Sequence, residues 1–141
     1  MGIKLGTQAV PDEVKRRQEQ DPEFQTRLKG LNFSLILVGT DDLENHDWQY
    51  SIVFNDGEIA RQDLERQPAP SKLRDLNFDK KEFNAKVVGS HQTIYEFVTG
   101  KLDILGMMNS VKIEGDFGKF MTQMKGFSEF IEFLKSMNFE P

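Results

Sequence analysis

The sequence predicts an α+β domain, a five-stranded mixed and mostly antiparallel sheet covered by helices. Three observations carry this reading. Five segments alternate apolar and polar residues with the two-residue period of a strand. Others place apolar residues at i, i+3, i+4 and i+7, as one face of a helix requires. The helical segments gather toward the two ends of the chain, which favours a layered sheet over regular βαβ repetition.

Residues 11–30 open with Pro11-Asp12, are dense in Glu, Lys, Arg and Gln, and contain Asp21-Pro22 midway. High helix propensity with a second N-cap and first-turn proline predicts two short helices. Phe24, Leu28 and Leu31 give the second a face to pack, whereas the first offers only Val14. Lys15-Arg16-Arg17 reads as a solvated helix face. Residues 1–30 are therefore expected to be a helical N-terminal extension of one compact unit over 31–141.

From Asn32 the period changes. Phe33, Leu35 and Leu37 alternate with Ser34, Ile36 and Val38, which suits a strand covered on both faces. Trp48, Tyr50, Ile52 and Phe54 then share one face of a second strand. Asn55-Asp56-Gly57 supplies the positive φ angles of a tight hairpin, so a third strand over 58–64 returns antiparallel. Gln67-Pro68-Ala69-Pro70-Ser71 is expected to be a surface loop.

Phe83, Ala85 and Val87 mark a fourth strand over 83–88. Ser90 is placed to cap a helix carrying Ile94, Phe97 and Val98 that stops at Gly100. A further helical turn holds Leu102, Leu105 and Met108, and residues 111–114 alternate as a fifth strand. Asp116 is placed to cap a helix bearing Phe117, Phe120, Met121 and Met124, and Ser128 to cap a last helix with Phe130, Ile131, Phe133, Leu134 and Met137.

A chain of 141 residues with a net charge of −5 and no cysteine bounds the function from several sides. It suits one domain. It excludes disulfide, thiolate and zinc-knuckle chemistry. The acidic balance argues against a nucleic-acid partner. Leu35-Ile36-Leu37-Val38, the longest aliphatic run, is too short to span a membrane, which leaves only transient membrane contact open. The opening residues contain no secretory apolar stretch, so the expected location is the cytoplasm. The sequence sets no oligomeric state.

Catalytic patterns are absent. Ser90-His91 lies at a helix start, where neighbouring side chains diverge, and His91 is expected to be exposed. His46 sits in Asp41-Asp42-Leu43-Glu44-Asn45-His46-Asp47, which lacks the spacing of a calcium loop and reads as a solvated acidic hairpin loop. Gly115-Asp116-Phe117-Gly118-Lys119 fails the phosphate-loop spacing. No catalytic residue, metal ligand or cofactor is expected, and the protein is not expected to be an enzyme.

Six of the 12 phenylalanines fall in 117–139, and every methionine but Met1 falls in 107–137. Such residues fill a core of large side chains or line a cavity for a flexible apolar ligand; composition leaves both open. Thr99-Gly100-Lys101-Leu102-Asp103, followed by the stretch Val111 to Lys119, resembles the sterol carrier protein 2 family, and Trp48, Ile52, Phe54, Asp56 and Gly57 are similar to its strand-and-turn signature. The resemblance implies an apolar tunnel that binds a lipid (fatty acid, fatty acyl-CoA or sterol-like) without a catalytic residue. With the helical stripes it places the ligand against Trp48, Ile52, Phe54, Phe97, Leu102, Leu105, Met108, Phe117, Phe120, Met121, Met124, Phe130 and Leu134. A second reading is a noncatalytic interaction domain, or a subunit of a larger complex, with a vestigial tunnel.

Overall fold

The computed structural model describes residues 2–141. In chain order the elements are β1 (Ile3–Lys4), α1 (Ala9–Gln20), α2 (Pro22–Leu28), β2 (Ser34–Thr40), β3 (His46–Asn55), β4 (Glu58–Pro68), a 3₁₀ turn at Lys72–Arg74, β5 (Ala85–Ser90), α3 (His91–Val98), α4 (Ile104–Ser110), β6 (Lys112–Gly115), α5 (Phe117–Thr122), α6 (Met124–Lys135) and β7 (Phe139–Glu140). The main sheet has the order β4-β3-β2-β5-β6. Only β2 and β5 run parallel; the other three pairings are antiparallel. This agrees with the expected fold class, a five-stranded mixed and mostly antiparallel sheet.

The hairpin between β3 and β4 turns at Asp56 and Gly57, with φ of 51° and 83°. Gly57 is held by more than its φ, because a Cβ there would strike the backbone of Leu28 and Lys29. Trp48, Tyr50, Ile52 and Phe54 all point to the helix-covered face and are buried. The opposite face carries Ile36, Val38 and Val88 under Leu73, Leu76, Phe78 and Phe83 from the irregular segment between β4 and β5. Strand β2 is thus covered on both sides, as its unbroken apolar run requires.

Helix α1 contributes more to the core than Val14 alone, and α2 packs through Phe24 and Leu28 as their spacing predicts. Val10, Pro11 and Val14 of α1 are buried, and so are Phe24 and Leu28 of α2. Asp21 caps α2 by accepting from the Glu23 N–H at 3.0 Å. Ser90, Asp103 and Asp116 cap α3, α4 and α5 in the same way.

Several boundaries differ from expectation. Strand β4 continues to Pro68, because His46 at the start of β3 offers it a partner and an edge strand tolerates a missing N–H. Strand β5 begins at Ala85, while Phe83 packs on the far side of the sheet. Ser128 caps nothing: α6 starts four residues earlier at Met124, almost continuous with α5, and Ser128 is an exposed residue within it. Leu102 precedes α4 instead of lying in it. The parallel pair β1–β7 has no periodicity to announce it, since each strand is two residues long.

The acidic hairpin loop is also built differently. Asp47 is fully buried and accepts from the Asp41 N–H at 3.0 Å, the Ser71 N–H at 2.9 Å, the Ser71 hydroxyl at 2.8 Å and Arg74 Nε at 2.8 Å. Burial alone would raise its pKa, but the Arg74 guanidinium and these donors hold the carboxyl well below its ordinary range. Asp42 is buried as well, with Arg66 at 2.8 Å. Two of the acids read as solvated are therefore structural pins.

Candidate functional site

Between the sheet and the short helices lies an apolar cleft. Its floor comes from three adjacent strands in register: Leu35 of β2 stands opposite Ala85 of β5, which stands opposite Gly115 of β6, and Val87 with Ile113 forms the next row. Glycine at 115 is set by close packing of the strands, because a Cβ there would strike Ala85 and the Asn84 carbonyl. The roof comes from Ile104, Met107 and Met108 of α4 and from Phe117 and Phe120 of α5. Phe33, Phe97 and Phe127 close the inner end. Phe33, Phe120 and Phe127 form an edge-to-face triad with centroids 5.3–6.0 Å apart, the geometry aromatic rings prefer.

The lining holds one polar side chain, Asp116. Its Oδ1 accepts from the Lys119 N–H at 2.9 Å as the cap of α5, so it is engaged by backbone. The cavity within the cleft is about 60 Å³. The cleft is narrow as it stands. Neither α4 nor α5 contains a buried residue, so its roof is held by fewer interactions than its floor.

The structure brings Phe97, Met108, Phe117 and Phe120 together around this cleft. The other residues of the expected set lie elsewhere. Ile52, Phe54 and Phe130 are in the main core, with the Phe54 and Phe130 rings 5.0 Å apart. Trp48 and Leu134 border a second, much smaller apolar space of about 20 Å³ for water-sized occupants. Leu102 is half-buried beside Gly106, and Met124 is half-buried at the start of α6. Leu105 and Met121 stand 68% and 63% exposed on the outer sides of α4 and α5. The floor residues Leu35, Ala85, Val87 and Ile113 follow from strand alternation once the order β2-β5-β6 is known, but that order crosses 50 residues of chain and has no local signature.

Trp48 and His91 form a buried pair on the far side of the core. Trp48 Nε1–H donates to His91 Nδ1 at 3.0 Å, so the neutral imidazole carries its proton on Nε2, which is buried without a partner. His91 is 3% exposed, against the expectation that it faces solvent. The turn into α3 directs it inward while Ser90 caps the helix by accepting from the Thr93 N–H at 3.0 Å. Burial pushes its pKa below the ordinary histidine value; Asp42 opposes that shift, and Arg66 and Lys4 reinforce it. Gly39, directly across from Trp48 in the β2–β3 register, leaves the indole the space a Cβ would occupy.

Among the described residues no three His, Cys, Asp or Glu side chains gather as metal ligands would, and no helix is long and apolar enough to cross a membrane.

The architecture is that of the sterol carrier protein 2 fold. A conserved hypothetical protein of Thermus thermophilus, described as a possible sterol carrier protein, superposes with a TM-score of 0.71 at 14% identity, over 99% of this chain and 94% of its own. A crystal structure of sterol carrier protein 2 gives 0.68 at 12% identity, over 95% and 99%. Sterol carrier protein-2 like-3 from Aedes aegypti gives 0.52 at 14% identity, over 85% and 94%. At these identities the likeness is one of fold. No protein-family model matches the chain, and no curated protein matches it in sequence.

Proposed function

We propose that this protein binds a single-chain apolar lipid, such as a long-chain fatty acid, in the cleft under α4 and α5, and carries it without a catalytic step. The observation that supports this is the lining, where Asp116 is the one polar side chain and backbone engages it. A site of this kind offers burial and little else, so affinity grows with the apolar length of the ligand. The fold likeness to sterol carrier proteins agrees with the reading. Because about 60 Å³ is too little for an acyl chain, binding requires α4 and α5 to move outward, which their lack of buried residues permits.

The test is a series of fatty acids of increasing chain length, titrated against the protein by displacement of a fluorescent analogue. Each added methylene contributes about 0.8 kcal/mol, roughly fourfold in Kd, until the cleft is full. The narrowness of the cleft favours a second reading, a noncatalytic interaction domain whose cavity has collapsed. A flat series, or no saturable binding at any length, would transfer the protein to that class.

A further inference from the structure

Among the described residues, His91 Nε2 is the one buried side-chain nitrogen or oxygen without a hydrogen-bond partner. The other ring nitrogen, Nδ1, accepts from Trp48 Nε1–H at 3.0 Å, which a histidine can do only while neutral. Once protonated, the ring donates from both nitrogens. Nδ1–H then meets Trp48 Nε1–H as donor against donor, Nε2–H still lacks an acceptor, and a buried cation is left without a hydrogen bond. The charged groups that face the ring are Lys4 of β1, Asp42 of the β2–β3 loop and Arg66 of β4. Asp42 favours the cation but is already bound to Arg66 at 2.8 Å, and Lys4 and Arg66 oppose it.

The pair must then separate, and the walls around the indole decide where. Gly39 and Gly6 both crowd it, since a Cβ on either would fall 2.3 Å or 2.4 Å from a ring atom. Gly39 lies in β2, which is paired by β3 on one side and by β5 on the other. Gly6 follows β1, whose pairing with β7 is two residues long. Two side-chain ties add to that pairing: Lys4 lies 2.8 Å from Glu44, and Arg66 Nη1 donates to the Gly6 carbonyl at 2.9 Å. The β1 wall is the weaker one.

We propose that His91 is an acid-operated latch: its protonation parts it from Trp48 and undocks β1 from β7 while the five-stranded sheet stays folded. Undocking uncovers the small apolar space that Leu5, Trp48, Leu134 and Phe139 border. The opened state takes up a proton that the closed state refuses. Each pH unit below about 6.5 therefore raises the ratio of open to closed about tenfold, until the closed pair itself titrates; above that pH the ratio is constant.

Hydrogen exchange followed by NMR tests this in the full chain. Trp48 is its one tryptophan, so the indole N–H gives a single signal. The Ile3 and Leu5 amides, which donate to Asn138 and Glu140, report on the β1–β7 pairing. Protection of all three should fall together by about tenfold between about pH 6.5 and 5.5. At the lower pH it should lie at least about tenfold below that of the Ile36 and Val38 amides in β2, which are reached only when the sheet opens. His91→Gln retains an acceptor for the indole and cannot titrate, so protection of the three should hold within about twofold over the same interval. His46 stands beside Glu44, the partner of Lys4, and His46→Gln removes the chain's other histidine. That variant should keep the wild-type profile, which assigns the proton to His91 even if His91→Gln fails to fold. Protection of β1 that does not change with pH overturns the proposal, as does protection equal to that of β2, which would make the opening global. A pH profile retained by folded His91→Gln, or abolished by His46→Gln, overturns it as well.

Discussion

Replacing Ala85 by Leu tests the cleft from its floor. Ala85 is 8% exposed, lies between Leu35 and Gly115 in the strand register, and borders the cleft beneath the α4–α5 roof. Leucine adds about three carbons, which displace roughly three ligand methylenes at ~0.8 kcal/mol each. The expected loss is about 2.4 kcal/mol of binding, near fiftyfold in Kd for a fatty acid long enough to fill the wild-type cleft. Short fatty acids that never reach Ala85 should lose much less. Overpacking is expected to reduce stability by about 1–3 kcal/mol, so titrations belong well below the melting temperature, with circular dichroism confirming the fold. If folded Ala85→Leu protein binds a long-chain fatty acid within about threefold of wild type, the ligand does not occupy this cleft.

Two further outcomes concern the framework. Asp47→Ala leaves Arg74 with Asp41 as its remaining carboxylate and removes the buried acceptor of two Ser71 donors and the Asp41 N–H, and should reduce stability by about 2–4 kcal/mol in urea unfolding; a loss under about 1 kcal/mol would show that the network behaves like an exposed ion pair. His91 should make stability fall as pH drops below about 6.5, because the unfolded chain takes up a proton there while the buried native imidazole, with its pKa lowered, does not. The contribution is intact above that pH and is lost down to the native pKa. His91→Gln retains an acceptor for Trp48 and cannot titrate, so its stability between about pH 6.5 and 5.5 should be flatter than that of wild type; parallel profiles would place the sensitivity elsewhere.

The legible parts of the fold are those that local chemistry determines. Asp56-Gly57 announces its turn because few residue pairs accept two positive φ angles, and Ser90 and Asp116 announce their helices because a short side-chain oxygen beside free N–H groups has an obvious use. The cleft was legible only where helical stripes line it, at Phe97, Met108, Phe117 and Phe120. Met121 and Leu105 carry the same periodicity yet face outward, since a six- or seven-residue helix buries too little for its stripe to dictate its rotation. Asp47 and His91 were misjudged for a common reason: their partners, Arg74 and Trp48, lie 27 and 43 residues away. Polarity predicts exposure until a distant group satisfies it.

The pairing of β1 with β7 bears on the order in which the protein forms. The Ile3 N–H donates to the Asn138 carbonyl at 3.0 Å and the Leu5 N–H to the Glu140 carbonyl at 2.9 Å. In a chain emerging N-terminus first, residues 3–5 wait without partners until residues 138–140 have been made. Leu5 and Phe139 are both buried and border one apolar space with Trp48, so that end of the core stays open to solvent until both segments have been made. Closing so long a loop carries only a logarithmic entropy penalty at equilibrium, but in time it places residues 3–5 among the last of this domain to settle.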